Sequence, residues 1–137
     1  MKRTIAAFVA CTLINTGHAG DIMQININGT NYAVKTERND TTADIMDNLP
    51  MELNMAQYAG HEYFSTLPFV PRETATQTSE LLPGHVYWWG AGNAFVINYA
   101  PSNIAPYHSV HIGEITDVAA MDELRRGGTH VKIIVSK

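Results

Sequence analysis

The chain has 137 residues, a formal net charge of −4 with histidines neutral, and one cysteine. An acidic chain without a basic stripe is poorly suited to nucleic acid or to an anionic membrane surface. A lone cysteine excludes an intrachain disulfide framework.

Lys2-Arg3, the mostly apolar run Ile5 to Ile14, and Gly17-His18-Ala19 have the three-part layout of a secretory signal peptide cleaved after Ala19. The apolar run is too short for the roughly 20 residues of a membrane span. Cys11 has only Ile5 to Ala10 before it as apolar core, which argues against a lipoprotein signal. The expectation is a leader over residues 1–19 and one domain over 20–137, secreted or periplasmic and without cysteine. Without Lys2 and Arg3 the domain keeps seven Lys and Arg against 13 Asp and Glu.

Ile22 to Ile27 alternates apolar and polar residues, as a half-buried strand does, and Asn28-Gly29 offers a tight turn to a return strand over Tyr32 to Lys35. Thr41-Thr42-Ala43-Asp44 predicts a helix start capped by threonine, with Ile45 and Leu49 on its apolar face and Pro50 as its stop. Met51, Leu53 and Met55 form the apolar face of another strand. Gly60 to Pro68 is less regular, and Phe69 to Ser79 predicts a surface loop.

The best strand signal is Leu81 to Pro101. Val86-Tyr87-Trp88-Trp89 and Ala94 to Tyr99 flank the turn Gly90-Ala91-Gly92-Asn93. Adjacent tryptophans on a strand point to opposite faces, so the outward ring is either covered by a loop or part of a binding or oligomer surface. Ser102 to Pro106 predicts a loop, and Tyr107 to Ile115 a strand interrupted by Gly113. Asp117 then caps a helix with Val118, Met121 and Leu124 on one face, closed by Gly127, before a last strand over Val131 to Val135. Seven or eight short strands and two short helices predict a mainly β domain, a barrel or sandwich. A closed antiparallel barrel also removes the edges of so apolar a hairpin.

These residues carry a resemblance. His111-Ile112-Gly113-Glu114-Ile115, followed by a short helix and a final strand, resembles the end of cyclophilins. Ile27-Asn28-Gly29, Thr42-Ala43-Asp44, Leu49-Pro50, Glu62-Tyr63, Leu67-Pro68, Pro83-Gly84, Tyr99 and Tyr107 are similar in order and spacing to the small bacterial cyclophilin-like family. His85 departs from it, where an aspartate is usual. The resemblance implies a closed antiparallel cyclophilin-like β-barrel with two short α-helices. It does not carry over the isomerase machinery, because the Phe-His-Arg-Val segment and the Gln-Gly-Gly stretch do not occur.

Histidines 61, 85, 108, 111 and 130 are the candidates for metal binding. His108 and His111 lie three apart, which puts them on opposite faces of a strand and argues against a shared metal. Met23, Met46, Met51, Met55 and Met121 fall at core-facing positions. Glu62 beside His61 is a candidate general base or a solvated strand-end carboxylate. Tyr63, Tyr99 and Tyr107 either line a groove or fill the core. The reading is a binding module for a peptide or small ligand, with Glu62, Tyr63, Trp88, Tyr99, Tyr107 and His111 as the candidate surface. No catalytic residue, metal or cofactor is assigned. A divergent peptidyl-prolyl isomerase is the alternative, and no oligomeric state has a signature in the chain.

Overall fold

The computed structural model describes residues 22–137; the leader expected over residues 1–19, with Cys11, lies outside the described residues. Eight strands close into an antiparallel barrel: β1 (Ile22–Ile27), β2 (Thr30–Thr36), β3 (Met51–Tyr58), β4 (Glu62–Thr66), β6 (His85–Trp89), β7 (Ala94–Asn98), β9 (Val110–Ile115) and β10 (His130–Ser136). Round the barrel the order is β1, β10, β3, β4, β7, β6, β9, β2 and back to β1. Two short helices, α1 (Asp40–Asp47) and α2 (Ala119–Arg125), complete the mainly β architecture, together with the two-residue strands β5 (Glu80–Leu81) and β8 (Ser102–Asn103).

The β1–β2 hairpin turns on Asn28 and Gly29, both at positive φ, as its Asn-Gly sequence requires. The period-two pattern does the rest. Met23, Ile25 and Ile27 point inward with Ile133 and Val135 of β10, while their neighbours face outward. Met23 and Met55 are fully buried, and Met46 and Met51 pack against the same core.

Helix α1 begins one residue before the threonines, and its cap differs from expectation. Asn39 Oδ1 accepts from Thr42 N at 2.8 Å. The Thr41 hydroxyl is spent elsewhere, donating to Arg72 O at 2.6 Å and so pinning the 67–79 loop. In α2 the packed face is Ala120, Met121 and Leu124, whereas Val118 is 83% exposed. Of the three predicted positions, Met121 and Leu124 pack, and Val118, which precedes the first helical residue, does not. The N-cap position is Val118, without a side-chain cap, and Asp117 just before it accepts from Ala119 N at 2.9 Å. The left-handed turn after α2 is made by Gly128, at φ +74°; Gly127 is needed for packing, since an added Cβ would sit 2.7 Å from the Tyr63 hydroxyl.

The central hairpin forms with a short 3-10 turn at Gly90–Gly92 and Asn93 in the left-handed region. It is buried on both faces. Trp88, Phe95 and Ile97 belong to the barrel core. On the outer face Tyr87, Ala94 and Val96 form a second cluster with Leu81, and Phe64, Trp89 and Ile104 pack against it. The β5–β8 pair supplies Leu81 and lies beside Ile104, so a small flap covers the outward side of the hairpin. Of the two tryptophans, Trp88 is inside and Trp89 outside, where it meets Tyr107 edge-on at 5.9 Å.

Strand β9 starts at Val110, later than predicted, and runs through Gly113 without a break. The irregularity lies in its pairing with β6: Val86 faces Gly113 but Tyr87 faces His111, so β9 carries one extra residue, a β-bulge at Ile112.

Candidate functional site

The bulge decides which side chains of β9 face outward. Ile112 and Val110 stay in the core, while His111 turns to the outer face beside Tyr87 and Glu114 sits across from His85. His85 and Tyr87 alternate on the outer side of β6. Residues 26 apart in sequence are thereby joined: His85 Nδ1 and His111 Nε2 are 2.8 Å apart. His111 Nδ1 is 2.6 Å from Glu37 Oε2, in the segment leaving β2. That segment is held by two bonds to β9, Glu37 N to Ile112 O at 2.7 Å and Asn39 Nδ2 to His111 O at 3.0 Å.

The chain of bonds sets the tautomers of the neutral pair. The Glu37 carboxylate accepts, so His111 Nδ1 carries its proton and His111 Nε2 is an acceptor; His85 then donates from Nδ1. His85 Nε2 is left with its lone pair, 3.9 Å from Glu114 Oε2. The two imidazoles are half-buried, 17% and 28% exposed. Burial and then the His111 ring push the His85 pKa below its ordinary 6.5, against the opposing pull of Glu114 and Glu37.

That direction has a consequence for stability. The unfolded chain binds a proton at His85 more readily than the folded one, so stability falls as pH drops below about 6.5 towards the folded value, and is fully present above it. Urea unfolding from about pH 8 to about pH 5 is expected to show this loss in the wild type and a shallower loss in His85→Gln. Equal slopes in the two proteins would contradict it.

A groove of about 360 Å³ adjoins Glu37, lined also by Arg38, Asn39, Asp40, Thr42, Ala43, Met46 and Asp47. Arg72 is engaged with Asp44 through a bidentate pair and lies 3.6 Å from Asp40. Arg125 and Arg126 pair with Asp122 and Glu123. Among the described residues Arg38 is the arginine without such a pair, and it is exposed on the groove. Thr42 Oγ1 is the one buried side-chain polar atom without a hydrogen-bond partner among the described residues.

A second polar cluster lies across the same barrel wall. Glu62 faces Asn98 in register, and His61 Nδ1 lies 3.0 Å from Asn98 Oδ1 and 3.4 Å from Glu62 Oε1. Burial raises the Glu62 pKa, with His61 opposing. Asn98 is fully buried and also donates to Ala100 O at 2.7 Å.

The six side chains singled out from the sequence are not brought together. Tyr63 is sealed in the core, its hydroxyl donating to Leu124 O and Gly128 O. Trp88 is inside the barrel and bonded to Asn93. Tyr99 packs against Tyr63 at 5.6 Å and accepts from Gln57 Nε2. Glu62 and His111 are half-buried on the outer wall in the two separate clusters, and Tyr107 is 58% exposed beside Trp89. His108 precedes β9 and bonds Gln77, away from the His111 cluster. Glu37, Arg38 and Asn98 were not singled out by sequence reasoning. Asn98 had a signal, a polar residue closing an apolar strand; Glu37 and Arg38 had none. Among the described residues no group of three or more His, Cys, Asp or Glu is arranged to hold a metal ion, and no helix is long and apolar enough to cross a membrane.

Comparison with known proteins agrees with this architecture. A hypothetical protein from Archaeoglobus fulgidus, AF2241, superposes with a TM-score of 0.69 at 15% identity over 90% of this chain and 98% of its own. McbB, solved in complex with tryptophan, superposes with a TM-score of 0.62 at 13% identity over 84% of this chain and 44% of its own. No curated protein matches. The model of the cyclophilin-like family matches residues 25–134, and with the closed eight-stranded barrel in place the chain belongs to the cyclophilin-like family.

Proposed function

We propose that this protein is a secreted or periplasmic binding module that takes a free amino acid or short peptide into the groove between α1 and the Glu37–Asn39 segment. The observation that carries the reading is the groove's charge layout. An unpaired guanidinium, Arg38, lies among the carboxylates of Glu37, Asp40 and Asp47, with Ala43 and Met46 supplying apolar contact. A zwitterion matches that arrangement: its carboxylate suits Arg38, its ammonium suits the acids, and its side chain covers Met46. A ligand hydroxyl or amine would also give Thr42 Oγ1 the partner it lacks. The tryptophan bound by McbB, a protein of the same fold, supports the class of ligand.

Thermal-shift and NMR titrations with tryptophan and short aromatic peptides test this. The expected result is saturable binding with shifts centred on Arg38 and Met46, weakened at least about tenfold by Arg38→Ala, as befits loss of a charge-assisted pair. Absence of saturable shifts at millimolar ligand would overturn it.

A further inference from the structure

The hydrogen-bonded run from Glu37 through His111 to His85 ends on a nitrogen with no proton, and nothing in the groove reading uses it. We propose that His85 Nε2 is a general base for hydrolysis of small neutral or cationic carboxylic esters, with His111 and Glu37 as positioning residues. The inference does not need an amino acid in the groove, although the run shares the Glu37 carboxylate with the groove lining.

Three features carry it. First, the tautomer is imposed from behind: Glu37 Oε2 holds His111 Nδ1–H at 2.6 Å, and His111 Nε2 holds His85 Nδ1–H at 2.8 Å. A base oriented by a second group, itself oriented by a carboxylate, is the arrangement that proton abstraction needs. Second, the rings cannot drift. Tyr87 lies against both, 6.4 Å from His85 and 5.4 Å from His111, and its hydroxyl is fixed by Leu82 N at 2.9 Å. Third, the imidazolium formed on proton uptake is provided for, with Glu114 Oε2 3.9 Å from Nε2 and Glu37 at the far end. The same two carboxylates repel anionic substrates, which sets the charge class. The groups facing the base are His111 and Glu114 on β9, Glu37 after β2, Lys35 across from Glu114, and Tyr87 on its own strand. The depressed His85 pKa keeps the base form populated at neutral pH.

The step balances without any other reactant. Water oxygen bonds to the ester carbonyl carbon as its proton passes to His85 Nε2. The tetrahedral oxyanion then collapses, the bond to the leaving oxygen breaks, and that oxygen takes the proton from Nε2. One ester and one water give one acid and one alcohol.

The tests are ¹⁵N NMR of the histidine rings and hydrolysis of ethyl dichloroacetate, whose alkoxide leaving group needs the returned proton, by the folded protein. The expected spectrum shows His85 protonated at Nδ1 and bare at Nε2 above its titration. The expected rate exceeds that of equimolar free imidazole at least about tenfold, a floor set below the roughly 10²–10⁴-fold of a positioned general base. It follows the NMR titration of His85, falls to the imidazole level in His85→Gln, and is unchanged in His130→Gln, whose ring is exposed at the start of β10. His111→Gln and Glu37→Gln should move the pH midpoint as well as lower the rate, which a merely structural role would not do. An Nε2–H tautomer for His85, a rate no higher than free imidazole, or a His85→Gln variant as fast as wild type would each overturn the proposal. If His85→Gln fails to fold, the wild-type tautomer decides it.

Discussion

Trp88→Ala should lower the free energy of unfolding by about 3–5 kcal/mol, the cost of deleting a fully packed aromatic from a core. Trp88 is 3% exposed and belongs to the barrel core. Its indole Nε1 donates to Asn93 Oδ1 at 3.0 Å. Asn93 is itself a junction: its Nδ2 reaches Phe69 O at 2.8 Å and Leu67 O at 3.3 Å, tying the long loop to the hairpin turn. The truncation therefore leaves both a cavity and a carbonyl without its donor. Against a typical domain stability of about 5–15 kcal/mol, a loss of that size is a large fraction of the whole. Urea denaturation followed by circular dichroism measures it, and Trp88→Phe should cost less because most of the volume stays. A Trp88→Ala protein within about 1 kcal/mol of wild type would mean that the ring is not a core element.

The second large effect is expected from Gly113→Ala. A Cβ built there lies 2.6 Å from Lys35 O, 2.9 Å from Val34 Cγ1 and 3.1 Å from the Thr36 Cα. Two of the three neighbours are backbone atoms of β2, which cannot swing aside as a side chain would. The strand pair has to separate, at a cost of about 1–3 kcal/mol or more. The damage should extend to the candidate site, since Glu37 N to Ile112 O and Asn39 Nδ2 to His111 O bridge the same two segments. Hydrogen exchange should therefore show the Glu37 amide losing protection more than amides on the opposite wall, such as those of β3. Unchanged protection at Glu37 would show that β2 and β9 tolerate the methyl.

Much of the barrel was legible because burial writes its period into the chain. The alternation of Met23, Ile25 and Ile27, the Asn28-Gly29 turn, and the double apolar strands around Gly90 to Asn93 each have a local cause. Helix ends were less legible. Asn39 and Thr41 compete for the same capping role, and the choice rests on whether Arg72 O, 31 residues away, claims the threonine hydroxyl. The outward tryptophan was left between cover and contact, and Leu81 with Ile104 decides for cover.

The candidate site was the least legible part. His85 and His111 were visible as histidines, but their meeting depends on strands β6 and β9 lying side by side and on one extra residue in β9. Tyr63, Trp88 and Tyr99 looked like groove residues because an aromatic ring with a polar handle suits an interface and a core equally well. Only the direction of each strand's pleat separates those uses.

Alone, the amino-acid sequence determined the acidic character, most of the strands and a mainly β barrel or sandwich, since these follow from composition, local periodicity and turn chemistry; the cyclophilin-like form of the barrel was implied by resemblance to that family. Which polar groups touch, which nitrogen of His85 is left bare, and that Arg38 stands unpaired at a groove were decided only by the tertiary structure. The physical reason is that hydrogen bonds and ion pairs act over about 3 Å, and only strand register and a bulge bring residues 26 and 74 positions apart within that distance.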